Sequence, residues 1–259
     1  MTHLPRAMLI DMDDTILSAY GRPEIAWNQI AAEFADEFGP LSPQQVAAAV
    51  LVSARRFWSA AGAEWRLKLD EARRIVVGNG FAALAAGGHA LPSDLAARLA
   101  DRFTAYREEA MFVFPGAHDA IDALKARGVK LALVTNGAAE TQRAKVERFE
   151  LTHRFDHIQI EGEHGFGKPE ERAYLHAMES LGVTAPETWM IGDNLEWEVE
   201  TPQRLGIYAI WMDAHGEGLP AESTIKPDRI IRSLTELLPV ERGSIGIRSS
   251  ADATQVKWP

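Results

Sequence analysis

Apolar positions recur along the chain with two different periods. From Ile25 to about Glu109 they follow helical spacing. On either side, short unbroken apolar runs alternate with amphipathic stretches. Within the helical part, Ile25 to Phe38 is predicted as a helix stopped by Gly39-Pro40. Ser42-Pro43-Gln44-Gln45 has the form of a capping box with proline at the first helical position, and opens a helix through Val46, Val50 and Leu51 towards Trp58. A further helix is expected over Glu64 to Val77, ended by Gly78-Asn79-Gly80. A short one follows up to Gly87-Gly88, and a last one runs from Ser93 or Asp94 to about Glu109. No stretch in this part alternates as a strand would, so about ninety residues are expected to form a separate all-helical unit.

The flanking parts carry strand runs instead. Ala7-Met8-Leu9-Ile10 reads as a buried first strand, followed after Leu17 by a turn containing Gly21 and Pro23. From Phe112 onward, a helix with Ala117, Ala120, Ile121 and Leu124 on one face ends at Gly128. Strands are predicted at Val129 to Val134, Ile158 to Ile160, Trp189 to Ile191, Ile207 to Met212 and Asp228 to Ile231. Helices alternate with them: one through Phe149, and one opened by Lys168-Pro169 with Tyr174, Ala177, Met178 and Leu181 aligned. Another ends at Leu205-Gly206, and a small one ends near Leu238. This alternation predicts an α/β fold: a Rossmann-like parallel sheet with helices on both faces and an inserted helical cap. The expected domains are a core of residues 1–19 and 113–239, a cap of 20–112, and a polar C-terminal extension of 240–259.

Composition narrows the partners. The chain has 259 residues, a formal net charge of −10 and a pI near 5.3, which argues against a nucleic-acid or anionic-membrane surface. A phosphorylated metabolite stays compatible, because a bound cation and a few placed basic groups invert the local field. The chain has no cysteine, so disulfides and thiolate metal sites are excluded. With no secretory signal and no apolar run able to span a bilayer, a cytoplasmic protein is expected. Nothing in the sequence speaks to oligomeric state.

Chemistry-bearing residues gather at predicted strand ends. Asp11-Met12-Asp13-Asp14-Thr15 follows the first strand, Thr135-Asn136-Gly137 the second, and Gly192-Asp193 with Glu196 and Glu198 the fourth; Lys168 opens the helix between the third and fourth. In a parallel sheet these ends face one crevice. Crowded carboxylates call for a hard divalent cation, and the whole set has what phosphoryl transfer requires: a nucleophile, a cation, donors and a proton source. Taken singly, Thr135-Asn136 reads as a helix cap, Lys168 as a solvated charge and Asp193-Asn194 as turn chemistry; the joint placement outweighs these.

Four segments, Asp11-Met12-Asp13-Asp14-Thr15, Leu133-Val134-Thr135-Asn136-Gly137, Gly167-Lys168-Pro169 and Gly192-Asp193-Asn194-Leu195-Glu196-Trp197-Glu198, resemble in order the four motifs of the haloacid dehalogenase superfamily. The helical insertion is similar to that superfamily's first type of cap. The resemblance implies a Mg²⁺-dependent phosphatase acting on a small phosphomonoester metabolite through an aspartyl-phosphate. Asp11 would be the nucleophile and a metal ligand. Asp13 would be the acid/base, with its carbonyl on the metal. Thr135, with the loop amides of Asn136 and Gly137, would hold the phosphoryl oxygens. Lys168 would neutralise nucleophile and phosphate, Asp193 would be the second metal carboxylate, and Glu198 would be outer-shell through water. The chain departs from the family's frequent pattern at Glu198, where aspartate is common, and at Trp197, where a small polar residue is common. A phosphomutase or a dehalogenase of the same superfamily, or a non-catalytic phospho-receiver module, are the alternatives. Among the cap cations Arg55, Arg56, Arg66, Lys68, Arg73 and Arg74, at least one is expected to face the crevice and read a second anionic group on the substrate. The eight histidines show no ligand spacing, and none is assigned.

Overall fold

The structure, a computed structural model, describes residues 4–19 and 23–239; Gly21 of the expected turn and the 240–259 extension lie outside the described residues. In chain order the elements are β1 (Ala7–Ile10), β2 (Leu17–Ser18), α1 (Pro23–Glu33), α2 (Pro43–Ala60), α3 (Leu69–Ala86), α4 (Leu95–Ala110) and β3 (Phe112–Val113). Next come α5 (Ala117–Ala126), β4 (Lys130–Thr135), α6 (Ala139–Arg148), β5 (His157–Ile160), α7 (Glu161–His164), α8 (Glu171–Leu181), β6 (Thr188–Gly192), β7 (Tyr208–Met212) and β8 (Arg229–Ile231).

Six strands form one sheet in the order β5-β4-β1-β6-β7-β8, parallel throughout. The chain runs outward from β1 to β4 and β5, crosses back to β6, and then builds the other half. A crevice therefore opens beside β1 at the carboxyl ends of the strands. Both faces of the sheet are covered, and the strands show why their sequence reads as unbroken apolar runs. Met8 and Ile10 pack on one side with Ala120, Ile121 and Leu124 of α5, whereas Ala7 and Leu9 pack on the other with Tyr174, Ala177 and Leu181 of α8. No helix among the described residues is long and apolar enough to cross a membrane.

The cap is a four-helix unit with its own core, in which Trp27 stacks on Phe103 at 3.8 Å. The capping box at Ser42 and Gln45 forms as the sequence predicts. One expected break does not occur: α3 runs through Gly78-Asn79-Gly80 to Ala86. A Cβ on Gly80 would lie 3.2 Å from the Val50 backbone, so this glycine lets α2 and α3 approach closely. Its helix-propensity cost, about 1 kcal/mol, is offset by that packing. Two strands were not foreseen. β2 and β3 pair antiparallel, Leu17 opposite Val113 and Ser18 opposite Phe112, and so join the two connections between core and cap. At two residues each they are too short to leave an alternating pattern.

Candidate active site

The β1, β4 and β6 ends are neighbours in the sheet, and they bring Asp11, Thr135 and Asp193 to one crevice of about 960 Å³ between core and cap. Its lining includes Asp11, Asp13, Thr135, Lys168, Asp193 and Glu198. Lys168 is 1% exposed and Asp11 6%. The lysine Nζ lies 2.5 Å from Asp11 Oδ1 and 2.8 Å from Glu198 Oε1. Burial alone would drive the proton off Lys168, but Asp11 and Glu198 outweigh it and hold the ammonium above its ordinary pKa. Burial raises the Asp11 carboxyl, Lys168 partly reverses that, and the nearby charge of Asp13 adds to the rise.

Asn136 is committed through its side chain to the main chain of Lys168: Nδ2 donates to the Lys168 carbonyl at 2.6 Å, and Oδ1 accepts the Lys168 N–H at 2.9 Å. It therefore fixes the lysine's backbone, leaving only its own amide for an oxyanion. The Gly137 N–H, expected on a phosphoryl oxygen, instead donates to Glu161 Oε2 at 3.0 Å. Thr135 is buried at the mouth of α6, and its hydroxyl accepts from Gln142 Nε2 at 2.7 Å. The start of this ten-residue helix is oriented to favour an anion.

Glu198 also has more to do than the outer-shell role expected of it. A π-helical turn over Leu195–Glu200, started by the Asn194 side chain accepting from Glu196 and Trp197 N–H, folds Glu198 back under the strand end. Its Oε1 meets Lys168 and its Oε2 accepts the Asn194 N–H at 2.7 Å. Gly192 makes room for it, since a Cβ there would lie 2.0 Å from Glu198 Cγ. Glutamate, not aspartate, has the reach to hold the lysine from this turn. Burial, only partly reversed by Lys168, pushes the Glu198 carboxyl up to about 7.

Asp193 is exposed to the crevice, which walls it in among the other acids. That enclosure, followed by the charges of Glu198, Asp11 and Asp14, raises its carboxyl well above the usual range. Asp11, Asp193 and Glu198 share the single charge of Lys168, which leaves negative charge uncompensated, and every donor they offer is oxygen. A hard divalent cation fits this set, with Asp11 and Asp193 as carboxylate ligands.

Three contributors, Lys145, Gln142 and Glu161, escaped the sequence reading. Lys145 Nζ holds both oxygens of Asp13 at 2.8 Å, and Gln142 Nε2 adds a 3.0 Å bond to Asp13 Oδ2. Their i, i+3 spacing on the helix leaving the Thr135 loop was the available signal. Glu161, the first residue after β5, stands at the same sheet edge as the other acids. It binds Arg66 of the cap at 2.7 Å. Arg66 also lies over the Trp197 ring at 4.9 Å, giving the bulky residue in the fourth motif a partner. Arg66, Lys68 and Arg73 line the crevice, as expected of at least one cap cation. Arg74 instead pairs with Asp101 at 2.8 Å on the surface. Trp58 is partly exposed and lines the crevice too.

Comparison with known proteins agrees with this geometry. The profile of a family described as haloacid dehalogenase-like hydrolase matches residues 5–206. A phosphoserine phosphatase of Thermus thermophilus is 34% identical over 148 residues, 56% of this chain and 57% of its own length. An N-acylneuraminate-9-phosphatase of Rattus norvegicus is 34% identical over 110 residues, 42% of this chain and 44% of its own. The match thus spans about half the length of these curated relatives. Among solved structures, the putative HAD-hydrolase YfnB from Bacillus subtilis, bound to magnesium, superposes with a TM-score of 0.65 at 27% identity, covering 91% of this chain and 97% of that one.

Proposed function

Because the chain belongs to the haloacid dehalogenase-like hydrolase family, we propose that it is a Mg²⁺-dependent phosphatase that hydrolyses a small phosphomonoester metabolite through an aspartyl-phosphate. The observation that carries this reading is the Asp11 carboxylate. One oxygen is bound to Lys168 at 2.5 Å, leaving the other for attack on phosphorus at the end of the central strand. In the first step the Asp11 oxygen bonds to phosphorus as the ester P–O bond breaks, and Asp13 gives a proton to the departing oxygen. In the second, Asp13 takes a proton from water, which attacks phosphorus and releases phosphate and Asp11. Lys145 and Gln142 orient the Asp13 carboxyl for both. Thr135, the Asn136 amide and Lys168 stabilise the charge on the phosphoryl oxygens. Asp11, Asp193 and the Asp13 carbonyl suit Mg²⁺, which supplies charge neutralisation between the nucleophile and the phosphate dianion. The magnesium bound in the similar Bacillus subtilis structure supports that choice.

The substrate is a phosphoester with a second anionic group. Arg66, Lys68 and Arg73 from the cap and Lys145 and Arg148 from α6 line the crevice of a protein whose net charge is −10. Arg66 Nε is buried with no hydrogen-bond partner among the described residues, a donor suited to a carboxylate. Phosphoserine and an N-acylneuraminate 9-phosphate, the compounds in the relatives' names, both carry a carboxylate beside the phosphate. Room for water in so large a crevice favours hydrolysis over transfer to a second hydroxyl. The test is release of phosphate by the full chain from a panel of metabolite esters, with Mg²⁺ and with EDTA. Carboxylate-bearing esters should lead the panel, and EDTA should stop turnover. Full activity in EDTA overturns the assignment.

A further inference from the structure

The histidines that the sequence leaves scattered converge in space. His157 on β5, His164 at the end of α7 and His176 in α8 each bring a ring nitrogen within 4.8 Å of one from each of the others. Their ring centroids lie 5.2–6.1 Å apart. All three are half-buried, on the α8 side of the outer strand, and their residues do not line the crevice described above.

The hydrogen bonds around the rings set their tautomers. His164 Nδ1 lies 3.1 Å from the Ile160 carbonyl, which can only accept, so Nδ1 carries the proton and Nε2 the lone pair. His176 Nδ1 lies 2.8 Å from Gln159 Oε1. The Gln159 amide is itself fixed by its Nε2 donating to the Ala173 carbonyl at 2.9 Å, so His176 likewise carries its lone pair on Nε2. His157 Nε2 is buried with no hydrogen-bond partner among the described residues. Imidazoles steered through Nδ1 by a carbonyl and a carboxamide, around an unsatisfied buried nitrogen, have the outer support that histidine metal ligands normally show. Phe166 packs edge-on to His164 at 5.7 Å and to His176 at 5.5 Å, which supplies an apolar wall. Burial and the proximity of His176 and His164 also lower the pKa of His157, favouring the neutral ring a metal needs.

We propose that His157, His164 and His176 form a second metal site, for a divalent transition ion of the zinc class, separate from the oxygen-lined phosphatase centre. Three neutral imidazoles select Zn²⁺, Co²⁺, Ni²⁺ or Cu²⁺ and give Mg²⁺ nothing it prefers. With Zn–N bonds of about 2.0–2.1 Å, tetrahedral ligand nitrogens stand about 3.4 Å apart, so the rings need to tilt inward by about 1 Å. Water completes the fourth position. The bound ion ties β5, α7 and α8 together, and α7 is the turn that begins with Glu161.

The experiment uses the untagged full chain, stripped of metal and then saturated with Mg²⁺ so that the carboxylate site is filled. Titration with Co²⁺ alone should give one equivalent of binding with the intense visible absorption of four-coordinate cobalt, which carboxylate sites do not give. Zn²⁺ should displace it and raise the melting temperature. His157→Gln and His176→Gln, checked for folding by circular dichroism, should each weaken binding at least tenfold, while Asp193→Asn should leave it unchanged. Where a substitution unfolds the chain, protection of the wild-type histidines by Zn²⁺ against diethyl pyrocarbonate, read residue by residue, reports the same site. Absence of the four-coordinate spectrum, equal binding by the folded variants, or no protection of these three rings overturns the proposal.

Discussion

Arg66 of the cap donates to Glu161 Oε1 at 2.7 Å, and the other oxygen of that carboxylate accepts the Gly137 N–H at 3.0 Å. One core carboxylate thus engages both the cap's cation and an amide of the phosphoryl loop. A substrate carboxylate would compete with Glu161 for Arg66, and so link recognition in the cap to the loop beneath it. Replacing Arg66 by alanine should raise KM for a carboxylate-bearing phosphoester about tenfold, roughly the contribution of one charge-assisted bond. kcat for a small aryl phosphate should change by less than about twofold. Equal losses on both substrates would show that Arg66 serves the fold and not recognition.

Removal of Lys168 tests the buried ion triad. Its Nζ lies between Asp11 and Glu198 with 1% of the side chain exposed, so Lys168→Met leaves two buried carboxylates without a counter-charge. The expected cost is roughly 3–5 kcal/mol in urea unfolding, and pairing the change with Glu198→Gln should recover part of it. Additive losses in the double variant would show that Glu198 does not depend on the lysine.

The parts of this site that the sequence exposed are those that a strand end fixes by itself. Asp11, Thr135 and Asp193 each follow an apolar run, and a parallel sheet delivers such residues to one edge without further information. Glu198 was legible as a candidate but not in its role, because that role depends on a π-helical turn and on the space left by Gly192. Lys145 and Gln142 were hidden because an amphipathic helix displays many polar residues, and only tertiary packing selects the pair that meets Asp13. Gly80 misled for a related reason: a helix-breaking residue inside a long helix reports the closeness of a neighbour, which no local pattern contains. The three histidines lie on three different elements, so no spacing along the chain could reveal them.

The covalent mechanism divides Asp11 from Asp13. Asp11→Asn should abolish turnover, because the amide cannot attack phosphorus. Asp13→Asn should be nearly as slow with a poor leaving group. With an activated aryl ester it should still form phosphoenzyme, which then persists because water is no longer deprotonated. Acid quench and mass spectrometry of the Asp13 variant should find added phosphate on Asp11. A label on another residue, or substantial activity in Asp11→Asn, points to direct attack by water.

Acidic crowding makes the metal contribution depend on pH. Burial and mutual repulsion raise the carboxyls of Asp11 and Asp193, and Glu198 moves from 4.5 to about 7. Between those two values the metal-free native state therefore holds more protons than the unfolded chain, and stability falls as pH rises. The contribution from Glu198 is fully present below 4.5 and lost as pH climbs through about 7. Mg²⁺ binds the ionised carboxylates and opposes this loss. The rise in melting temperature on adding Mg²⁺ should accordingly be larger at about pH 7.5 than at about pH 5.5. In EDTA, Glu198→Gln should flatten the decline between them, since it removes one of the groups that must lose a proton. A Mg²⁺ shift that is equal at both values, or larger in acid, would mean that the carboxylates around Lys168 are already ionised across the range and that the ion binds elsewhere.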